Sequence, residues 1–409
     1  MASGSKKSVT QSPSLPELVQ SDVDQILQSG LADFSIRQLL GFLISSAGAA
    51  ERKLYLEKTD DDSPNGYYDR SLQVGATPVD IRVPRTRGGE FRPTTLPPPY
   101  QRGYSEETRS LLMGLLASSR SINAAKQALR QMGLSHSEEE LDHVAASFVE
   151  ELELRNSRSL DPDLLALFVD GKYVEWREGD KLRPATIYVA VGLGRDGKKR
   201  VLACLPQTGR ENLEGWKVLF RGLCERGLRR VMLILQDDFS GLLPVCQSLF
   251  PNADVQLCTV HMQRNAKTHL SKADSSEFQN RWRAIKATWD FEVGNQQFDQ
   301  LCELFAKKYP SWITELRKKR GHYLAFLKYP EQMRRSFSST NLVEAVNGQL
   351  EIMRRNSGGF FHSDETLKCK LGIAVSSLEN GKWNTSAKHL AQVLLQLNAM
   401  FESRFEANT

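Results

Sequence analysis

Three acidic side chains, Asp170, Asp237 and Glu344, sit where their neighbours in the sequence allow them to do chemistry together. Asp170 closes an apolar run from Leu164 that has the length of a buried strand, and a second such run, Val231 to Leu235, ends at Gln236-Asp237-Asp238. A carboxylate at the carboxyl end of a buried strand stands at the mouth of an α/β sheet, where ligands bind. Glu344 falls on a helix over residues 341–355. Val343, Val346, Leu350 and Met353 form its apolar stripe, and Glu344, Asn347, Glu351 and Arg355 share the adjoining polar side. Carboxylates from separate elements suit a pair of Mg²⁺ ions, for which Mn²⁺ can stand in. Such ions take hard oxygen ligands, and about 3.5–4 Å apart they activate an attacking oxygen and stabilise a leaving one at phosphorus. Phosphodiester cleavage and strand transfer are the reactions this serves. Plainer duties fit the same residues: Asp170 as a turn residue before Gly171, Asp237 as a helix cap, Asn341 with Glu344 as a capping box. Glu351 competes with Glu344 for any role on that side.

The elements that must position these acids follow from the apolar patterning. Residues 1–14 read as a disordered tail. Residues 15–59 carry apolar side chains at three- and four-residue spacing, the pattern of helices. Residues 60–103 hold seven prolines and an Asn65-Gly66 turn signal, and alternate over Val79 to Val83 as an edge strand would. Arg82, Arg85, Arg87 and Arg92 decorate this stretch. It reads either as a basic arm along a DNA groove or as a linker. Residues 104–157 return to helix, with Gly133 between two helical runs in helix-turn-helix outline. The second run opens with Glu138, Glu139 and Glu140, which would repel phosphates, so packing or dimerisation competes with DNA contact.

From residue 158 the pattern becomes α/β. Three strands in meander are followed by helix, strand, helix and a last short strand ending near Cys258. That is the order of a ribonuclease H-like sheet, and other doubly wound folds share the alternation. More than a hundred positions separate Asp237 from Glu344, far beyond one loop. Residues 158–261 are therefore read as the first part of the core and residues 262–335 as an all-α insertion. Residues 336–409 complete the core with the Glu344 helix and C-terminal helices.

The chain has 409 residues, 40% hydrophobic and 25% charged, enough for two or three domains with their own cores. Its longest apolar stretch, residues 39–50, is too short and too interrupted to span a bilayer. The amino terminus lacks the apolar segment of a signal peptide, so a cytosolic protein is expected. Six scattered cysteines without a CxxC pair predict reduced, mostly buried thiols. The net charge is +5, but residues 262–356 carry 17 Lys and Arg against 10 Asp and Glu. Concentrated positive charge of this kind suits a polyanion, though it also suits solvated helix faces. Arg264, Lys267, Arg334, Arg335, Arg354 and Arg355 are the candidate phosphate contacts. Cys258 and His261 form a CxxH pair with two possible metal ligands and His269 as the nearest third. No second pair completes a tetrahedral zinc site, so packing or positioning beside the acids is expected of them.

Six motifs stand in order along the chain: Asn65-Gly-Tyr-Tyr-Asp-Arg70, Val83-Pro-Arg-Thr-Arg-Gly-Gly-Glu-Phe-Arg-Pro93, Phe168-Val-Asp170-Gly-Lys-Tyr173, Gln236-Asp-Asp-Phe-Ser-Gly-Leu242 with Phe250-Pro-Asn-Ala253, Cys258-Thr-Val-His-Met-Gln-Arg-Asn265 and Thr340-Asn-Leu-Val-Glu-Ala-Val-Asn347. In carrying them, the sequence resembles the mutator-type DDE transposases of bacterial insertion sequences. Two departures stand out: Gln236 where the family commonly has serine, and Asp238 where a small residue is usual. The resemblance implies an α/β, ribonuclease H-like catalytic core interrupted by an all-α insertion domain and preceded by helical DNA-binding or dimerisation regions. It also implies Asp170, Asp237 and Glu344 as a metal-binding triad with Cys258 and His261 as a signature beside it. Family members nick the ends of their element and transfer the freed 3′-hydroxyl, many through a circular intermediate. They typically act as dimers on two transposon ends and a target, which places this chain at the bacterial nucleoid. A transposase-derived DNA-binding protein without chemistry is the alternative.

Overall fold

The computed structural model describes residues 24, 35–59, 61–74, 77–96, 106–132, 138–288, 290–381, 383 and 388–405. The expected tail at 1–14, the first helix of the 15–59 region apart from Asp24, and the 133–137 turn lie outside the described residues. The chain divides into two compact units. One comprises Met1–Gly114 with Lys126–Leu141, the other Leu115–Ala125 with Asp142–Thr409.

In the first unit, helix α1 (Ile36–Leu56) begins with a capping box, Ser35 and Gln38 each satisfying the other's backbone amide. It packs on an antiparallel hairpin of β1 (Pro64–Val74) and β2 (Thr77–Thr86). Val79, Ile81 and Val83 alternate inward from β2 against Leu40 and Ile44. The Pro- and Arg-rich stretch is thus largely a hairpin rather than an extended linker. Asn65-Gly66 is not its turn: Gly66, at φ 65°, lies at the register shift between Pro64 and Tyr67. Helices α2 (Glu106–Ser118), α3 (Ile122–Gln131) and α4 (Glu138–Ser157) follow, each with residues in both units, and most of α4 belongs to the second. Arg130 forks onto both Glu138 oxygens at 2.7 Å, so part of the acidic start of α4 is engaged within the protein.

The second unit is built on a five-stranded mixed sheet whose strands lie side by side in the order Lys199–Thr208, Lys181–Gly194, Asp163–Glu178, Arg230–Gln236 and Asp254–Leu257. Strands β3 (Asp163–Glu178), β4 (Lys181–Gly194) and β5 (Lys199–Thr208) form the antiparallel meander. Helix α5 (Leu213–Glu225) leads to β6 (Arg230–Gln236), parallel to β3, and α6 (Leu242–Leu249) leads to β7 (Asp254–Leu257). Asp163 to Asp170 is buried at every position, because this half of β3 is central and covered on both faces. One face meets Trp216, Leu219 and Phe220 of α5, with Phe250 just beyond α6. Against the other pack helices from the carboxyl-terminal half.

That half is helical throughout: α7 (Thr259–His269), α8 (Lys272–Ala287), α9 (Phe291–Ala306), α10 (Pro310–Lys318), α11 (Arg320–Tyr323) and, after a 3₁₀ turn, α12 (Glu331–Phe337). Then come α13 (Asn341–Asn356), α14 (Asp364–Asn380) and α15 (Lys388–Phe405). Phe278, Trp282, Phe298 and Phe305 bury their rings among α8 and α9 in the same cluster as the sheet residues Phe168 and Leu235. Among the described residues no helix is long and apolar enough to cross a membrane. All six cysteines are free thiols, five of them buried.

The seating of α14 on α4 gives a sharp stability test. A Cβ on Gly372 would lie 2.2 Å from the carbonyl oxygen of Phe148, a backbone atom that cannot swing aside. Alanine normally favours a helix over glycine by about 1 kcal/mol, but overpacking costs roughly 1–3 kcal/mol. Gly372→Ala is therefore expected to lower the denaturation midpoint, and a midpoint at or above wild type would contradict this packing.

Candidate active site

The last parallel pair between β3 and β6 is Phe168 with Leu235. Asp170 and Asp237 each follow two residues later, so strand alternation turns both carboxylates to the face on which Phe168 and Leu235 pack. Asp237 stands just past the end of β6, as its sequence context suggests. Asp170 does not end its strand: β3 runs on to Glu178 in a long hairpin with β4. It nonetheless occupies the mouth of the parallel half, because β6 has already stopped beside it.

Helix α13 closes on this mouth. Asn347 donates from Nδ2 to Asp170 Oδ2 at 2.8 Å, which clamps the helix to β3. Glu344 lies one turn earlier on the same helix, about 4.5 Å along its axis. The alternative duty for Glu344, a capping box with Asn341, is not formed. Thr340 is the N-cap and makes no side-chain capping bond, so Glu344 is not spent there. Its nearest ion pair is Arg264 Nη2, 3.7 Å from Oε1 and beyond hydrogen-bond length. Glu351 is fully engaged: Lys172 at 3.2 Å, Arg354 at 2.7 Å and Arg355 at 3.2 Å hold it as a carboxylate, with its pKa down at about 2, Arg354 contributing most. Asp238 is likewise taken by Lys319 at 2.5 Å and by the Tyr323 hydroxyl at 3.2 Å. These contacts occupy Glu351 and Asp238, whereas Glu344 Oε1 and Asp237 Oδ1 have no hydrogen-bond partner among the described residues.

Electrostatics show how crowded the site is. Burial, then the charge of Asp237, pushes Asp170 up to about 7, with smaller contributions from Glu211 and Glu344 and an opposing one from His261. Burial also raises Asp237, against the pull of His261, and raises Glu211, which feels Asp237. Glu211 lies just before α5 and had no strand, stripe or motif to single it out. Asp237 Oδ1, Glu344 Oε1 and Asn347 Oδ1 are buried without a hydrogen-bond partner among the described residues. Acceptor oxygens left this way call for a donor or a cation. The donor set is hard oxygen, which fits Mg²⁺ or Mn²⁺ better than zinc. Among the described residues no group of three or more His, Cys, Asp or Glu side chains is placed, as it stands, to hold a metal ion by itself. Mg²⁺ does not demand one, since it usually keeps waters and substrate phosphates in its shell.

Cys258 is buried at the start of α7, with Thr340 Oγ1 3.5 Å from its sulfur. Burial alone would raise this thiol, yet His261 and Thr340 hold it below the ordinary range. His261 rises to about 9, chiefly through Cys258 and further through the two aspartates. Its Nδ1 has no hydrogen-bond partner among the described residues, and the pair interacts through charge. His269 is two turns further along α7, about 12 Å away, too far to share an ion with Cys258 and His261.

The basic candidates separate by what already occupies them. Lys267 and Arg335 are exposed, as is Arg264 beside His261 and Glu344. Arg334 is a correction: its guanidinium donates to the carbonyls of Thr288, Tyr329 and Leu327 and is consumed in fixing the chain before α12. Arg354 is half-buried between Glu351 and the Gly359 carbonyl, and exposed Arg355 leans on Glu351. In the first unit Arg82 and Arg85 lie over the rings of Tyr67 and Tyr68 at 5.3 and 5.6 Å, and Arg87 is exposed. Arg52, which the sequence reading passed over, covers Tyr67 at 4.5 Å.

Comparison with known proteins adds a second line. The family model described as Transposase, Mutator family matches residues 13–386. The transposase for insertion sequence element IS905 of Lactococcus lactis is 26% identical over 348 residues, 85% of this chain and 87% of that protein. The transposase for ISRM5 of Rhizobium meliloti is 27% identical, covering 77% and 79% of the two chains. The transposase for IS256 in transposon Tn4001 of Staphylococcus aureus is 25% identical, covering 83% and 88%.

Proposed function

This chain belongs to the Mutator family of transposases, and from that premise we propose that it nicks the ends of an insertion sequence and transfers the freed 3′-hydroxyl to another phosphodiester, through an excised circle. In this reading the mixed sheet is a ribonuclease H-like core, residues 262–335 are its all-α insertion, and a homodimer engages two DNA ends. Asp170, Asp237 and Glu344 are the residues that would hold two Mg²⁺ ions. Bound there, the ions would supply Lewis-acid stabilisation of charge developing at phosphorus and ease ionisation of the attacking hydroxyl. Asp170 and Asp237 fix the position of that charge at the sheet mouth. Asn347 keeps one Asp170 oxygen oriented, and α13 carries Glu344 against the same opening. His261 and Arg264 are the cationic groups beside it and are suited to the scissile phosphate.

The observation that carries this reading is the Asn347–Asp170 bond, which ties the helix bearing the third acid to the strand bearing the first. The test incubates the protein with candidate end DNA and Mg²⁺ beside an Asp170→Ala variant. Cut and joined strands from wild type alone support it. Equal products from both remove the catalytic assignment. No products from either favour a DNA-binding protein without chemistry, and cutting without joining favours a nuclease.

The occupancy of the arginines separates phosphate contacts from struts. Lys267→Ala is expected to weaken DNA binding uniformly across sequences and to reduce the salt slope of the affinity by about 1. Arg334→Ala is expected to leave that slope unchanged and lower the melting temperature, since three carbonyls lose their donor. Anisotropy titrations at several salt concentrations, with thermal melts, check both.

A further inference from the structure

We propose that Glu211 is a fourth carboxylate of the metal site, an oxygen ligand, directly or through water, to the cation that Asp170 and Asp237 face. The inference deepens the two-metal reading above and rests on it. Its first ground is the gap at Gly171. This glycine follows Asp170 in β3, and a Cβ there would lie 2.8 Å from Glu211 Cδ and 3.0 and 3.1 Å from its two oxygens. Strand alternation turns that Cβ to the α5 side of the sheet, opposite the Asp170 carboxylate, so the missing side chain lets the Glu211 carboxyl reach β3 from that side, next to Asp170 along the strand.

The segment bearing Glu211 is pinned in that place from two directions. Tyr188 pairs with Gly171 across β3 and β4, and its hydroxyl accepts the backbone amide of Asn212 at 3.0 Å. Trp216, fully buried on α5, donates its indole N–H to Glu211 Oε1 at 2.9 Å. The bond orients the carboxylate and occupies one oxygen, leaving Oε2 for another ligand. Carboxylates that ligate a metal are commonly held from behind by a hydrogen bond of this kind.

An independent observation points to a cation. Asn347 is nine-tenths buried, and its Nδ2 donates to Asp170 while its Oδ1 has no hydrogen-bond partner among the described residues. Asp237 Oδ1 is stranded in the same way. Oxygen acceptors with no donor, gathered at one sheet end with half-buried acids around them, lack only positive charge.

The test is a calorimetric Mn²⁺ titration of the full chain without DNA, comparing wild type, Glu211→Gln, Asp170→Asn and Asp237→Asn. Glutamine keeps the acceptor for Trp216 and removes only the charge. Glu211→Gln is expected to weaken Mn²⁺ binding at least tenfold and to shrink the Mn²⁺-induced rise in melting temperature, with an unchanged or higher melting temperature in chelator. Wild-type Mn²⁺ affinity in a folded Glu211→Gln protein, while Asp170→Asn loses binding, would overturn the role of Glu211 and spare the two-metal reading. If Asp170→Asn and Asp237→Asn also bind as wild type, or wild type binds nothing, the underlying reading fails with it. Gly171→Ala, which displaces the Glu211 carboxyl while keeping its charge, is the second variant. It is expected to weaken Mn²⁺ binding in the same way, and wild-type affinity there would again count against Glu211.

Discussion

Asp170→Asn is expected to lower strand cleavage and joining by at least about a thousandfold, roughly 4 kcal/mol of transition-state stabilisation, while DNA affinity in the absence of metal stays near wild type. Asparagine preserves the shape of a side chain that is only 7% exposed and sits in a tight slot between β3 and α13. What it removes is the negative charge that the neighbouring acids otherwise oppose. Loss through misfolding would show as a lower melting temperature in chelator; relief of crowding predicts the reverse. Single-turnover assays on end DNA with Mg²⁺ give the rate. A variant retaining more than about a tenth of the wild-type rate would remove Asp170 from the reaction.

Much of this site was legible in the sequence for a simple physical reason. A buried strand must be apolar, so an acid at its edge is conspicuous. Asp170 and Asp237 stand out in Phe-Val-Asp170 and Leu-Gln-Asp237 because nothing polar precedes them except Gln236. The α13 stripe is equally plain, since Val343, Val346, Leu350 and Met353 are all buried as their spacing predicts. What was hidden depends on partners distant along the chain. Glu211 becomes interesting only when the fold sets it over Gly171, and Asn347 only when α13 meets β3. Arg334 looks like any surface arginine until the carbonyls of Thr288, Leu327 and Tyr329 converge on it. The first hairpin misled for a related reason. Its prolines signal a linker, but Pro78 and Pro84 are buried in a two-stranded ribbon, which has an edge on each strand and tolerates a missing N–H.

The metal-free protein should also lose stability as pH rises, opposite to the usual behaviour of paired carboxylates. Asp170 titrates near 7 in the folded chain, chiefly through burial and next through Asp237, against about 3.9 when unfolded. Between those values the native state holds a proton that the unfolded chain has released, so stability falls with rising pH and levels off above 7. A shift of this size corresponds to something on the order of 2–4 kcal/mol, and Asp237 and Glu211, both raised, add in the same direction. His261, raised to about 9, continues the fall above pH 6.5, while Cys258, held below the ordinary thiol range, opposes it, so the pair largely offsets itself. Denaturant midpoints in chelator from pH 4.5 to 8.5 should therefore decline for wild type and be flatter for Asp170→Asn, with the variant the more stable at pH 8. Mg²⁺ should restore wild type at pH 8 far more than at pH 5, because protons and the cation compete for the same oxygens. Parallel curves for the two proteins would mean that Asp170 is not the group storing this strain.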